Sequence, residues 1–294
     1  MKTYEIKTDW DISLAVDHHT AISSPRGVIC YYHGGGLLFG TRADLPTEYI
    51  DGFCRAGYHV LCFDYLLSPE ATLEQVQASV RSGLRWFYTE GRALLGAQAL
   101  PYFLFGRSAG AYLALTAACR HVDPQTPPAA ILSFYGYTDL KNPSFSAPNL
   151  HYRTFPLVDR AAAESYICTD LLRSAPKEQR FSLYLWARQT GKWVSLLTGD
   201  DPTMAEKWSL SKEELQALPP LFLTASTADR DVPFAVSKNL AALHPHAVFH
   251  PVFYLEHDFD RDPERAESRD VYRACLDFLD DICETAKIED ATIR

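Results

Sequence analysis

Short apolar runs recur along the chain and alternate with stretches whose apolar residues are spaced three or four positions apart. Continuous runs rich in Val, Ile, Phe and Tyr are typical of strands that are covered on both faces. They predict strands at residues 27–33, 59–64, 101–106, 129–135, 220–225 and 247–254. The helical spacing predicts helices at residues 45–55, 72–88, 109–121, 233–243 and 265–283. This alternation indicates a mostly parallel sheet flanked by helices.

Two parts of the chain depart from the alternation. The opening segment, YEIK followed by DISLAV, is typical of a strand pair at the edge of a sheet. Residues 140–218 hold many aromatic residues but no clean strand, and an unstructured loop of that length is improbable in a compact domain. We therefore expect a helical cap, called here the insertion (140–218), over a core made of residues 1–139 and 219–294.

A serine between two glycines follows one of the predicted strands. In PYFLFGRSAGAY, residues 101–112, Ser108 lies between Gly106 and Gly110 where the strand meets a helix. A sharp strand-to-helix turn favours residues without side chains on either side of its apex. The hydroxyl then lies at the carboxyl end of the sheet, near the positive end of the helix dipole. We interpret Ser108 as a nucleophile, with an ordinary helix cap as the alternative.

A run of glycines follows the first predicted parallel strand. It reads His33-Gly34-Gly35-Gly36, and consecutive glycines let backbone N–H groups point at a developing oxyanion. A phosphate-binding loop fits less well, because the run has neither P-loop nor GxGxxG spacing, and a plain flexible turn is the remaining alternative. HGGG followed by GxSxG is far more specific than either motif alone.

These motifs together resemble those of the hormone-sensitive-lipase-like group of α/β hydrolases. HGGGLLFG is similar to that family's oxyanion motif, GRSAG to its nucleophile elbow, and DYLLSPE (residues 64–70) to its D-Y-R-L-A-P-E motif. The resemblance extends from about residue 27 to the C-terminal histidine motif at His257. It implies an α/β-hydrolase fold with a cap and the activity of an esterase or lipase.

The resemblance also implies roles for individual residues. The oxyanion donors would be the N–H groups of Gly35, Gly36 and Ala109, with His33 shaping the loop and taking no part in proton transfer. Leu66 departs from the family, which generally has arginine there, so whatever that arginine stabilises is expected to be held otherwise. The N-terminal segment is short for the family, which leaves the insertion as the expected main lid.

The acid and the base should follow the nucleophile along the chain, in the order Asp or Glu and then His. His257 lies just after the run at 247–254, and His257-Asp258-Phe259 resembles the family's H-x-F, so we predict that His257 is the base. For the acid, the family's G-x-x-D turn aligns best with Asp229. Asp231 is expected to cap the next helix, although it stays open as the alternative acid.

The predicted activity is hydrolysis of carboxylic esters through an acyl-enzyme. Ser108 would attack the carbonyl, His257 would transfer the proton, and Asp229 would orient the imidazole, with no metal or organic cofactor. Aromatic residues of the insertion would limit the pocket, so we expect short acyl chains. Amidases, arylformamidases and peptidases of the same fold share these residues and stay open, and a binding protein that lost the chemistry is the third alternative.

Composition restricts the partners and the location. A formal net charge of −9 without a cluster of Lys and Arg argues against nucleic acid, which leaves a small-molecule ester as the partner. No apolar run reaches the ~20 residues of a membrane span and no signal peptide is evident, so we expect a cytoplasmic protein. The seven cysteines include no CxxC pair and are interpreted as buried thiols. A homodimer stays open.

Overall fold

The sheet carries the fold and orders the loops that form the site. The computed structural model describes residues 1–8, 10 and 12–293, with side chains of the last helix described as far as residue 285. Residues 9, 11 and 294 of the predicted core, including the first residue of DISLAV, lie outside the described residues. The strands are β1 (Lys2–Lys7), β2 (Ser13–His19), β3 (Gly27–Tyr32), β4 (Tyr58–Phe63), β5 (Tyr102–Arg107), β6 (Ala130–Phe134), β7 (Leu221–Ser226) and β8 (Ala247–Val252).

The order of the strands is β1-β2-β4-β3-β5-β6-β7-β8, and all eight belong to one sheet. β1 pairs with β2, and β2 with β4, in the antiparallel direction, whereas the pairs from β4 to β8 are parallel. The predicted strand pair at the edge and the predicted parallel sheet are therefore both confirmed. The predicted strand at 247–254 ends earlier, at Val252.

Helices connect the strands and continue beyond the last one. They are α1 (Thr47–Arg55), α2 (Leu73–Trp86), α3 (Arg92–Leu94), α4 (Ala109–Arg120), α5 (Pro143–Ser146), α6 (Arg160–Glu164), α7 (Lys177–Thr190), α8 (Trp193–Thr198), α9 (Pro202–Lys207), α10 (Lys212–Gln216), α11 (Phe234–Leu243) and α12 (Ala266–Ile293). A π-helical turn at Phe87–Gly91 follows α2, so the helix predicted at 72–88 is regular only as far as Trp86. Short 3₁₀ turns lie at Tyr152–Thr154 and Phe259–Arg261.

Both faces of the sheet are buried, which explains the continuous apolar runs. Alternate residues of β3 fall into different hydrophobic clusters, with Cys30 in one and Ile29 in the other. The first cluster includes residues of α2 and α4, and the second includes residues of α1 and α12. All six residues of β3 are buried, as expected for a central strand between two helical layers.

The insertion is helical, and it packs on the core where two parallel strands end. Between β6 and β7 the described chain forms α5 to α10 and one 3₁₀ turn. Isolated bridges join Ala175 to Gly40, beyond the end of β3, and Leu172 to Leu67, beyond the end of β4. Aromatic residues of the insertion, such as Trp193, are buried in the same cluster as α4. The insertion therefore lies over the carboxyl ends of the parallel strands, where the loops of the candidate site also lie.

The expectations about membrane spans and about the burial of the cysteines can both be compared with the structure. Within the described part of the chain, no helix combines the length and the apolarity that crossing a bilayer requires. All seven cysteines are free thiols, but the interpretation of them as buried is wrong for Cys168, which is exposed, and Cys119 is only partly buried. Cys168 lies in the insertion, outside the apolar runs that bury the cysteines of the strands.

Candidate active site

Ser108 occupies a strained turn between β5 and α4. Its backbone has φ 53° and ψ −117°, a conformation that L-residues seldom adopt. A Cβ on Gly106 would lie 2.1 Å from the carbonyl carbon of Gly110, and a Cβ on Gly110 would lie 1.9 Å from the carbonyl oxygen of Tyr32. Neither position can hold a side chain without displacing backbone. The two glycines therefore fix the turn that presents the serine at the end of the strand.

His257 lies in the loop after β8 and connects the serine to a carboxylate. Its Nε2 is 2.8 Å from Oγ of Ser108, and its Nδ1 is 2.6 Å from Oδ2 of Asp229. A carboxylate beside Nδ1 favours the tautomer that carries its proton there, which leaves Nε2 to accept the serine proton. The ring also packs edge-on against Tyr135, with the ring centroids 4.7 Å apart. The structure thus brings the three predicted triad residues into one hydrogen-bonded line.

The two candidate acids have different surroundings. The Asp229 side chain is fully buried, and its Oδ1 accepts hydrogen bonds from the N–H groups of Asp231 (2.8 Å) and Val232 (2.9 Å). Asp231 accepts the hydrogen bond of the Tyr184 hydroxyl, whose oxygen lies 2.7 and 2.8 Å from the two carboxylate oxygens, and does not touch Nδ1 of the histidine. The expectation that Asp231 caps the next helix is wrong, because Pro233 is the cap residue of α11. Its carboxylate is turned toward the insertion instead.

Charge around His257 favours its protonated form. Burial acts to lower the pKa of this imidazole, but the negative charges of Asp229, Asp231 and Asp258 outweigh it and raise the pKa to about 9. Asp231 contributes although it is not the direct partner, since its Oδ2 is 3.9 Å from Nε2. A histidine must be neutral to accept a proton, so the form of His257 that can accept one becomes more populated as the pH rises above neutrality.

The glycine loop lies beside Ser108 and adopts conformations that favour glycine. Gly35 has φ +101° and Gly36 has φ +60°, and a Cβ on Gly35 would lie 1.9 Å from the carbonyl oxygen of Phe39. A Cβ placed on Gly34 would be 3.5 Å from Cβ of Ser108, so the loop and the serine are close neighbours. In the described residues no hydrogen bond uses the N–H of Gly35 or Gly36. These two N–H groups therefore have no hydrogen-bond partner among the described residues.

The other two residues named with the loop are Ala109 and His33. Ala109 is the first residue of α4, and the first N–H groups of a helix have no partner within it. His33 is fully buried, its Nδ1 donates to the carbonyl oxygen of Gly34 at 2.8 Å, and the Tyr65 hydroxyl donates to the His33 carbonyl oxygen at 2.9 Å. His33 thus holds the loop in shape.

Comparison with known proteins agrees with this arrangement. The sequence profile of the alpha/beta hydrolase fold family matches residues 29–235. The chain belongs to that family. The resemblance and the fold class expected from the motifs are therefore confirmed.

Solved structures extend the similarity over the whole chain. A protein of unknown function from Staphylococcus aureus Mu50 is 31% identical with a TM-score of 0.85, and the alignment covers 96% of this chain and 100% of that one. Carboxyl esterase 2 from the fungus Tuber melanosporum is 18% identical with a TM-score of 0.70, covering 96% of this chain and 85% of that one. The second similarity concerns the fold alone.

A curated relative matches part of the chain. The non-reducing polyketide synthase adrD from Penicillium roqueforti is 33% identical over 139 residues, which is 45% of this chain and 6% of that protein. This α/β hydrolase therefore spans a small fraction of the length of the curated relatives that it matches.

A buried ion pair that the sequence analysis did not identify lies next to Ser108 and His257 in this α/β hydrolase. The guanidinium of Arg107, next to the serine, donates to Oδ1 of Asp260 at 2.9 Å and to the Tyr135 hydroxyl at 2.8 Å. Asp260 also accepts from the hydroxyls of Tyr135 (2.6 Å) and Tyr272 (2.8 Å). The pair joins the loop that carries His257 to the strand that carries Ser108. An arginine inside an apolar run and an aspartate close behind the histidine were the available signals.

The insertion closes a cavity of about 580 Å³ over Ser108. The sequence analysis noted the aromatic residues of the insertion but did not identify which of its residues line the cavity. They are His151, Tyr152, Phe155, Pro176, Lys177, Glu178, Phe181 and Tyr184. No periodic pattern marks these positions, because they reach the cavity from short helices and loops. Within the described residues no group of three or more His, Cys, Asp or Glu side chains is arranged to hold a metal.

The motif at residues 64–70 contacts the insertion through an ion pair that does not involve position 66. Leu66 is fully buried in the main hydrophobic cluster. Glu70, at the end of the same motif, forms a buried ion pair with Arg180 of α7, with 3.0 Å between Oε2 and Nη2. The insertion thus supplies a guanidinium that anchors the motif.

Proposed function

We propose that this α/β hydrolase is a serine esterase that cleaves carboxylic esters through an acyl-enzyme. The observation that carries the proposal is the continuous line of hydrogen bonds from Oγ of Ser108 through His257 to Asp229, next to the glycine loop. Nucleophile, base and orienting acid within hydrogen-bond reach are the arrangement that acyl transfer needs. The carboxyl esterase from Tuber melanosporum has the same fold, which is consistent with the proposal.

The mechanism follows from the role that each group can perform. Ser108 attacks the ester carbonyl while Nε2 of His257 takes its proton, and Asp229 stabilises the imidazolium. The oxyanion accepts hydrogen bonds from the N–H groups of Gly35, Gly36 and Ala109, each of which contributes on the order of 10² to 10³ in rate. His257 then protonates the leaving alcohol, and water attacks the acyl-enzyme through the same base. No step requires a metal or an organic cofactor.

The insertion acts as a cap that limits the substrate, with residues 1–139 and 219–294 as the catalytic core. Two contacts support this division: Trp193 of α8 donates to the carbonyl oxygen of Gly36 at 2.8 Å, and Tyr184 of α7 binds Asp231. A cavity of about 580 Å³ fits a small ester better than a long triglyceride. We therefore propose short acyl chains, to be checked with p-nitrophenyl esters of increasing length.

The decisive assay compares matched esters and amides. We expect the protein to hydrolyse p-nitrophenyl acetate and butyrate faster than the corresponding p-nitroanilides. The Ser108→Ala variant should lose this activity, whereas Ser24→Ala, at an exposed serine between β2 and β3, should keep it. Faster turnover of the amides would contradict an esterase and favour an amidase. Hydrolysis by neither series, or hydrolysis that persists in Ser108→Ala, would contradict the proposed mechanism.

A further inference from the structure

Most charged side chains around the cavity are paired with other charged side chains. The pairs are Arg107 with Asp44 and Asp260, Arg261 with Asp258, and Arg188 with Asp231. Lys177 differs, because among the described residues its ammonium has no carboxylate within ion-pair distance. Glu178, the next residue, is exposed to solvent. Lys177 is therefore a cavity cation without a protein counter-ion.

The ammonium of Lys177 is held in place. Its Nζ lies 4.8 Å from the centroid of the Phe181 ring, one helical turn further along α7. Phe181 itself packs edge-on against Phe39, with 5.9 Å between the ring centroids, and both rings line the cavity. The ammonium thus lies against an aromatic wall, which restricts the directions in which the Lys177 side chain can extend into solvent.

The position of this charge is electrostatically unfavourable in the empty protein. Lys177 is the first residue of the 14-residue helix α7, where the helix dipole disfavours a positive side chain. Burial and the charge of Arg261 lower the pKa of its ammonium, and they outweigh the opposite effect of the more distant carboxylates of Asp258, Glu178 and Asp231. An anion bound in contact with the ammonium of Lys177 would offset this penalty.

We propose that Lys177 binds a carboxylate of the substrate, so that the natural substrates are aryl esters that carry a carboxylate. This inference rests on the proposed esterase function and adds the substrate class. The walls support the aryl part, because Phe39, Tyr152, Phe155 and Phe181 line the same cavity and offer ring faces and edges to an aromatic group. The ester carbonyl would lie at Ser108 while the carboxylate contacts the ammonium.

A kinetic test uses a pair of substrates that differ in charge. We compare 4-carboxyphenyl acetate with 4-carbamoylphenyl acetate and take the ratio of their kcat/KM values for each variant, which cancels any general loss of activity. Lys177→Met should lower the ratio about tenfold relative to the unmodified protein, since charge-assisted hydrogen bonds contribute this much in partly exposed sites. Lys177→Arg should keep most of it. Lys212→Met is the matched control, because Lys212 is also the first residue of a helix and is exposed outside the cavity.

A binding test separates this proposal from the esterase proposal. Calorimetry with 4-propoxybenzoate and with the neutral 4-propoxybenzamide needs no hydrolysis. We expect Lys177→Met to weaken binding of the benzoate about tenfold, so that the dissociation constants of the benzoate and the benzamide become similar. Equal binding of the benzoate by the unmodified protein and Lys177→Met would overturn the carboxylate site even if esters are cleaved. A tight Lys177-dependent site in a protein that cleaves no ester would overturn the esterase proposal alone.

Discussion

The cavity has two walls that differ in how tightly the chain fixes them. The sheet-edge wall consists of the loops after β3, β5, β6, β7 and β8, at the carboxyl ends of these strands. The insertion wall consists of residues 151–155 and 176–184. Obligatory glycines and a buried ion pair hold the first wall. Aromatic packing and the contact of Tyr184 with Asp231 hold the second. We therefore propose that the sheet-edge wall performs the chemistry and that the insertion wall selects the substrate.

The largest contrast between the walls should appear in catalysis. Replacing the base on the sheet-edge wall, His257→Ala, removes proton transfer and should lower kcat/KM for p-nitrophenyl butyrate by ~10⁴ or more. Phe181→Leu on the insertion wall removes only packing, so we expect less than a tenfold change, mainly in KM. Steady-state kinetics measure both, and comparable losses in the two variants would contradict the division of roles.

Glycine replacements test how rigid the sheet-edge wall is. Gly110→Ala places a Cβ against backbone of β3, 1.9 Å from the Tyr32 carbonyl oxygen, and should lower the free energy of unfolding by more than about 3 kcal/mol. Gly52→Ala is the matched control within α1, where a Cβ meets nothing within 4 Å and should stabilise by about 0.5–1 kcal/mol. Thermal or urea unfolding gives both values. A Gly110→Ala protein of normal stability would show that the turn can relax.

The buried ion pair behind the triad should contribute more than an exposed one. Asp260→Asn removes the closer and fully buried of the two carboxylates that pair with Arg107, which should destabilise the protein by about 3 kcal/mol. Glu264→Gln disrupts the exposed pair with Arg269 and should change stability by less than about 1 kcal/mol. Urea unfolding of both variants provides the comparison, and similar small effects would mean that this pair does not hold the His257 loop.

A smaller effect, on the pH dependence of kcat/KM, should connect the two walls. Because the pKa of His257 is raised to about 9, kcat/KM should increase with pH on a limb that lies above pH 6.5. Asp231→Asn removes a negative charge 3.9 Å from Nε2 and should move this limb to lower pH. The same raised pKa stabilises the fold at pH below 6.5, and that contribution is lost as the pH rises toward 9. An unmoved limb in Asp231→Asn would exclude this electrostatic link.

The fold could be predicted largely from the sequence because β-strands buried on both faces leave continuous apolar runs. The prediction failed where exposed residues continue such a run: Phe253 and Tyr254, 58% and 86% exposed, extended the last strand beyond its true end at Val252. The π-helical turn at Phe87–Gly91 was also missed, since its residues continue the helical pattern.

The residues of the sheet-edge wall could be predicted from the sequence for a related reason. Sharp turns and close backbone contacts permit only glycine at positions such as 106 and 110, and this leaves motifs with fixed spacing. The insertion wall leaves no such trace. Arg180 reaches Glu70, and Tyr184 reaches Asp231, only through the packing of α7 on the core, and no local pattern marks such partners. The role of Asp231 was misjudged for the same reason.

The central claim is that Ser108 is the nucleophile activated by His257 and Asp229. Intact-protein and peptide mass spectrometry after treatment with diethyl p-nitrophenyl phosphate tests it without any assumption about the substrate. We predict one diethylphosphoryl adduct, located on Ser108, with no adduct on Ser108→Ala and much slower labelling of His257→Ala. An unlabelled protein, or equal labelling of Ser108→Ala, would contradict the account.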